Sequence, residues 1–229
     1  MDLTTISYAL LSGILPALLW LWFWLKEDNL HPEPKSIIFG SFVAGGIVVL
    51  IAIIGEKLVA DITTDTTTRY IAWAAIEEIT KFIAVAIIAL SSRKMDEPID
   101  AMIYCITVAL GFAALENALF VLSPLGAGDV MKSIVTGNMR FIGATLVHIV
   151  SSATVGFMIG LTFYRGKTIK ALALIVGVIL AITLHSAFNL SIINSSATNT
   201  LRVFGWVWGA IVILLILFEE IKVIKPKTK

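Results

Sequence analysis

Seven long apolar segments constrain this chain more than any other feature of its sequence. They cover about residues 6–25, 37–60, 70–90, 99–122, 140–164, 171–193 and 201–220. A helix of about twenty apolar residues crosses the roughly 30 Å hydrocarbon core of a bilayer, and each segment is near that length. We therefore predict an all-α fold, a polytopic transmembrane bundle of about seven spans that forms a single domain over residues 1–229.

The composition supports a membrane protein and excludes several other classes. Hydrophobic residues make up 58% of the chain and charged residues 14%, whereas soluble domains have about 45–50% and about 25%. A net charge of +1 gives no electrostatic footprint for nucleic acid. The one cysteine, Cys105, excludes a disulfide framework. The first apolar segment has neither a basic leader nor a small-residue cleavage site, so we expect it to be retained as a helix.

The distribution of lysine and arginine predicts the orientation of the bundle. Eleven of these residues fall in the loops and tail on one side of the predicted spans, and five fall on the other. Because cytoplasmic loops carry the excess of positive charge, we expect the N-terminus outside and the C-terminus in the cytoplasm. The predicted location is the cell membrane, with the lipid bilayer as the surrounding partner.

Polar and ionisable residues within four predicted spans fall at one depth. Helical rise places them roughly 8–12 Å below the outer membrane boundary. They are Glu77, Glu78, Glu116, His148, His185 and Asn189, and Lys81 follows the two glutamates at i,i+4 and i,i+3 on the same helix. Ionisable groups in membrane spans usually face the bundle interior and mark functional sites. We therefore expect these side chains to converge in one cavity.

Two hydrolytic chemistries fit this set of residues. Two histidines and one carboxylate can hold Zn²⁺ with a position left for water, while another glutamate acts as general base. Alternatively, a glutamate and a histidine activate water without a metal, while a second histidine and Asn189 stabilise the oxyanion.

Other functional classes also use buried ionisable groups. A proton-coupled transporter relays protons through buried Glu and His, but the broken helices or repeated halves of such transporters are not apparent here. A catalytically silent scaffold is a third possibility. The string "GAGD" at residues 126–129 matches the GxGD motif of presenilin-type proteases, yet it lies in a predicted loop with no matching buried aspartate.

Five short motifs resemble those of the PrsW family of intramembrane proteases, which is related to the CAAX-processing and bacteriocin-processing membrane proteases. They are "HPEPK" after the first span, "EEITK" (EExxK), "GFAALENALF" (FxxxEN), "HIVSS" (HxxxS) and "HSAFN" (HxxxN). The resemblance implies a protease that cuts a single-pass membrane protein, such as an anti-sigma factor, on its extracytoplasmic side. The catalytic helices then lie within about residues 70–193, and segments 6–25, 37–60 and 201–220 are peripheral.

The resemblance also guides the roles that we expect for individual residues. Glu77 is expected to be the general base, with Glu78 as second choice and Lys81 tuning the pair. The expected ligands of a metal, if one is bound, are Glu116, His148 and His185. Asn189 would orient His185 or donate to the oxyanion.

Three further features of the sequence accompany this assignment. His31 replaces the first glutamate of the EPEP-like loop, and we expect it to be structural rather than catalytic. Phe120 stands where the motif suggests a tyrosine, which we interpret as a packing change. Residues 123–139 are predicted to form a loop above the site, either a cover or substrate gate or an ordinary surface loop.

Overall fold

The computed structural model describes residues 2–28, 32–195 and 197–226, with only the backbone described at 197 and 198. These residues form eight α-helices and two π-helical segments. The α-helices are α1 (Leu3–Glu27), α2 (Lys35–Ile62), α3 (Thr66–Val85), α4 (Asp100–Gly126), α5 (Val130–Met139), α6 (Thr145–Leu161), α7 (Lys167–Ile193) and α8 (Ala197–Lys222). The π-helical segments continue α3 over Ala86–Leu90 and join α5 to α6 over Arg140–Ala144.

The predicted all-α membrane fold is confirmed. Among the described residues, six helices are long and apolar enough to cross a membrane: α1, α2, α4, α7, α8 and the continuous run Val130–Leu161. The helix α3 is not among them, because Arg69, Glu77, Glu78 and Lys81 lie within its 20 residues. A seventh span at α3 and the orientation of the termini therefore stay predictions.

The helix α4 forms the centre of the bundle. Every residue from Asp100 to Ala114 is buried, as is typical of a helix that is apolar on all sides. Glycines allow neighbouring backbones to approach it closely, as small residues commonly do between membrane helices. A Cβ atom at Gly111 would lie 1.9 Å from the carbonyl oxygen of Phe42, and one at Gly45 would lie 2.0 Å from that of Val108. This packing fixes α2 against α4, and it thereby sets where the predicted cluster of ionisable residues lies in the bundle.

The prediction of a loop over residues 123–139 is wrong for most of that range. The helix α4 continues to Gly126, and α5 begins at Val130 after a short turn. In the turn, Gly128 adopts a φ of +81°, and the Asp129 carboxylate accepts a hydrogen bond from the backbone N–H of Lys132. Such N-terminal capping stabilises a helix start. The glycines at 126 and 128 thus end one helix and form a turn rather than extending a long loop.

Substitution of Gly111 by valine should destabilise the bundle, because its Cβ has no room against the Phe42 carbonyl. We expect the free energy of unfolding to fall by about 1–3 kcal/mol, the usual cost of overpacking. Thermal unfolding in detergent measures it. Gly205→Val is the matched control, since a Cβ at Gly205 has nothing within 4 Å. Equal melting temperatures for the two variants would contradict this account of α4.

Candidate active site

Three charged side chains of α3 are buried on one face of the helix. Glu77, Glu78 and Lys81 are 5%, 2% and 2% exposed. Their i,i+3 and i,i+4 spacing brings both carboxylates within reach of the lysine. Such charges are costly to bury unless they are paired, so the partners of these groups determine whether α3 can occupy this position.

The ammonium group of Lys81 lies among partners from three helices. Its Nζ donates to Glu78 Oε1 at 2.6 Å and lies 3.9 Å from Glu77 Oε2. It is also 3.0 Å from Nδ1 of His148 on α6. The ring of Phe112 on α4 stands 4.6 Å from Nζ, within the range of a cation–π contact. Lys81 therefore links α3 to both α4 and α6.

Each histidine is held by a carboxylate through one ring nitrogen. Nε2 of His148 lies 2.8 Å from Glu116 Oε2, and Nδ1 of His185 lies 2.8 Å from Glu78 Oε1. The two remaining nitrogens, Nδ1 of His148 and Nε2 of His185, are each 3.8 Å from Glu77 Oε2. A carboxylate behind a histidine is the usual arrangement around metal-binding imidazoles, because it fixes the ring orientation.

Glu77, His148 and His185 form the group that can hold a metal ion. Their ligand atoms lie within 4.8 Å of one another. Glu77 Oε2 is buried and has no hydrogen-bond partner among the described residues, so this oxygen is free to bind a cation or water. Ligand atoms about 2.1 Å from a tetrahedral zinc ion lie roughly 3.4 Å apart, close to the two observed distances of 3.8 Å. Two histidines and one glutamate are also a known zinc ligand set, so the residue types and their spacing fit the metal. Lys81 Nζ, which lies 3.0 Å from Nδ1 of His148, would have to withdraw from that nitrogen when the ion binds.

Glu116 lies outside this group of three. Its Oε2 accepts hydrogen bonds from Arg140 Nη2 and from His148. Arg140 Nε donates to Asn117 Oδ1 at 2.6 Å, and the guanidinium group stands 3.8 Å from the centre of the Phe120 ring. Glu116 is therefore placed to support His148, and Phe120 packs against the arginine that neutralises this glutamate.

A cavity of about 610 Å³ opens beside the group. Glu77, Glu116, His148, His185 and Asn189 line it. No hydrogen bond of Asn189 to His185 is found in the described part of the chain, where Nδ1 of the histidine is taken by Glu78. Nδ1 of His185 is thus held by Glu78, and Asn189 lines the cavity, so the role of Asn189 stays a prediction.

Two residues of the cavity were missed by the sequence interpretation, Glu56 and Arg140. Glu56, on α2, lines the cavity together with Glu77. Arg140 begins the π-helical segment before α6. Both fall near the outer ends of predicted spans, where charged residues are common. The only sequence signal for them is that these ends lie near the predicted depth of the polar cluster.

His31 falls outside the described residues, so its structural role stays a prediction. Ser152, four residues after His148, donates to Glu78 Oε2 at 3.2 Å and thus supports the same carboxylate that holds His185.

Comparison with known families gives one match that covers most of the chain. The family described as PrsW family intramembrane metalloprotease matches residues 33–218. No solved structure matches the protein.

Curated relatives that carry the name Protease PrsW are similar to this chain at low identity. The protein of Geobacillus kaustophilus (strain HTA426) is 27% identical over 152 residues, which cover 65% of this chain and 64% of the relative. That of Clostridioides difficile (strain 630) is 24% identical over 187 residues, covering 78% and 76%. The chain thus matches somewhat less than two thirds of the length of the first relative.

Replacement of Lys81 by methionine should destabilise the protein strongly, because it leaves Glu78 buried without its cation. We expect a loss of about 3–5 kcal/mol, the usual cost of removing one partner of a buried ion pair. The measurement is the free energy of unfolding in detergent micelles. Lys222→Met is the control: Lys222 pairs with Glu219, whose side chain is 63% exposed, and such pairs contribute about 1 kcal/mol or less. Similar losses in both variants would show that the Lys81 contacts are not what stabilises α3.

Proposed function

Because the chain belongs to the PrsW family of intramembrane metalloproteases, we propose that it hydrolyses a peptide bond of a membrane-anchored protein in the cavity beside Glu77, His148 and His185. The observation that carries this proposal is Glu77 Oε2, a buried oxygen without a hydrogen-bond partner among the described residues, which two imidazole nitrogens face at 3.8 Å each. A buried acceptor of this kind supports a role in binding and activating water. A transporter is not favoured, since the chain belongs to a family of proteases.

In the metal-dependent form of this mechanism, Glu77, His148 and His185 hold the ion. When bound, zinc supplies Lewis acidity that activates water and polarises the scissile carbonyl. Glu78 and Glu116 orient the two imidazoles from behind. The general base is then Glu56, whose side chain lines the same cavity as Glu77.

A metal-independent form is favoured by one contact, the 3.0 Å approach of Lys81 Nζ to His148 Nδ1. Here the ammonium group of Lys81 takes the place that the metal ion has in the first form, beside the imidazole of His148. Glu77 is the base that removes a proton from water through Oε2, the oxygen without a hydrogen-bond partner, as the sequence led us to expect. The proton then passes to the amine that leaves when the C–N bond breaks.

In both forms, donors on the cavity wall stabilise the oxyanion that develops on the scissile carbonyl. The amide of Asn189 lines the cavity without a hydrogen bond to His185, so it is free to donate. Preorganised donors of this kind commonly contribute a large part of the rate enhancement. We assign this role to Asn189.

The substrate that we infer is a single-pass membrane protein, similar to an anti-sigma factor, cut near the extracytoplasmic side. This inference rests on the family resemblance and on the predicted orientation, which puts the polar cluster in the outer half of the bilayer. The bacterial relatives are named as proteases, and their names give no substrate. The bacterial sources of these relatives are consistent with the predicted location of this protein in the cell membrane of a prokaryote.

Cleavage assays test the proposed activity. In proteoliposomes, the wild type should cleave at least one protein of a panel of single-pass membrane proteins. Glu77→Gln, His148→Ala and His185→Ala should each lower the rate by about 10²-fold or more, as expected for catalytic groups. Glu219→Gln, at an exposed site on α8, is the control. Undiminished cleavage by all three site variants would overturn the assignment.

Metal analysis separates the two forms of the mechanism. The metal-dependent form predicts about one zinc ion per purified chain, loss of zinc in His148→Ala and His185→Ala, and loss of activity with a chelator that added zinc reverses. Glu56→Gln should keep the zinc and lose activity, because this residue is the base and not a ligand. Full cleavage activity by zinc-free protein, insensitive to chelator, would instead establish the glutamate-dependent form.

A further inference from the structure

A second, largely apolar groove lies between α6, α7 and α8. Its volume is about 330 Å³, near the lower end of the range for ligand pockets. Ser151 of α6, Ala187 of α7 and Val207 and Ala210 of α8 line it. Its rim is exposed on the outside of the bundle, where Trp206 is 81% exposed. In a bilayer, this rim faces lipid.

The groove adjoins the catalytic cavity, and two residues lie between the two spaces. Val147 and Phe188 line both spaces, and Val147 directly precedes His148 in the chain. Phe188 stacks on Phe204 with ring centres 6.5 Å apart and an interplanar angle of 17°. Phe204 lines the catalytic cavity as well. The stacked aromatic pair therefore lies where the groove meets the cavity, across the seam between α7 and α8.

The wall of the groove contains one buried hydroxyl group with no partner. Ser151 Oγ makes no hydrogen bond within the described residues, although the residue is 0% exposed. Other hydroxyls of these helices bind the carbonyl four residues earlier, as Ser186 does with Ile182 and Thr154 with Val150. An unpaired buried donor is costly. Ser151 is thus ready to donate to a carbonyl placed in the groove.

We propose that this groove binds the hydrophobic transmembrane segment of the substrate and admits it to the catalytic cavity between α7 and α8. The proposal rests on the proposed proteolytic function and identifies the access route for it. A transmembrane helix cannot reach the cavity through water, so it has to arrive laterally from the lipid. Its apolar side chains match the groove wall, and a backbone carbonyl freed by local unwinding gives Ser151 an acceptor. A lipid acyl chain offers no such acceptor at its hydrocarbon portion.

Photocrosslinking tests binding without relying on cleavage. The probe is a fluorescent transmembrane peptide of leucine and alanine with lysine ends, in phosphatidylethanolamine and phosphatidylglycerol vesicles with the full-length chain. A benzophenone amino acid at position 187 should label the peptide at least fivefold more than one at position 179. Ile179 is the control because it lies on the same helix and is 57% exposed. Equal peptide labelling from both positions, or labelling of lipid alone from position 187, would overturn the proposal.

Substitutions that fill the groove supply the second measurement. Ala187→Trp and Ala210→Trp should lower peptide labelling and slow cleavage of a single-pass protein by about tenfold, whereas Ile179→Trp should change neither. Ser151→Ala should weaken peptide labelling roughly 3- to 10-fold, as expected for the loss of one hydrogen bond. If the wild type cleaves a substrate and both tryptophan variants cleave it equally fast, the groove is not the access route. If the wild type cleaves nothing yet position 187 selectively labels the peptide, the proteolytic function fails while the binding site stands.

Discussion

The structure depends on how three charges of α3 are neutralised inside an apolar bundle. Lys81 donates to Glu78, contacts His148 and stands over the ring of Phe112. These contacts span α3, α4 and α6, so the packing of the helices and the compensation of charge are one arrangement. A change in the position of any of these helices would leave a buried charge unpaired, which is more costly than the loss of an apolar contact. The cluster thus fixes the relative position of the helices that surround it.

The same arrangement explains why the site contains so many carboxylates. Glu78 and Glu116 each hold one imidazole, and each has a cationic partner, Lys81 or Arg140. Glu77 differs, because its Oε2 has no hydrogen-bond partner among the described residues. Two glutamates therefore position histidines, and the third has an oxygen left for water or a metal. Adjacent residues in the sequence, Glu77 and Glu78, have different surroundings since successive helix positions point about 100° apart.

The sequence predicted a bundle of long apolar helices whose polar residues converge on one cavity, but not how these residues pair. Span lengths follow from apolar runs, and helical rise places Glu77, Glu116, His148 and His185 at one depth. Which atoms meet depends on the rotation of each helix about its axis, and this rotation is set by packing such as that of Gly111 on Phe42. For this reason Glu116 was expected as a ligand, whereas in the structure Arg140 and His148 occupy its Oε2.

The residues that were missed share a physical cause. Glu56 and Arg140 lie near the ends of apolar segments, where a charged residue normally faces water and carries no signal. Here α5 follows α4 after a short turn, and the π-helical segment that begins at Arg140 leads directly into α6. The guanidinium group is thereby brought against Glu116 and Asn117 instead of solvent. A charged residue at the end of a span thus becomes part of the polar interior when the next helix folds back over it. Whether this occurs depends on the three-dimensional path of the chain, which the apolar pattern of the sequence does not give.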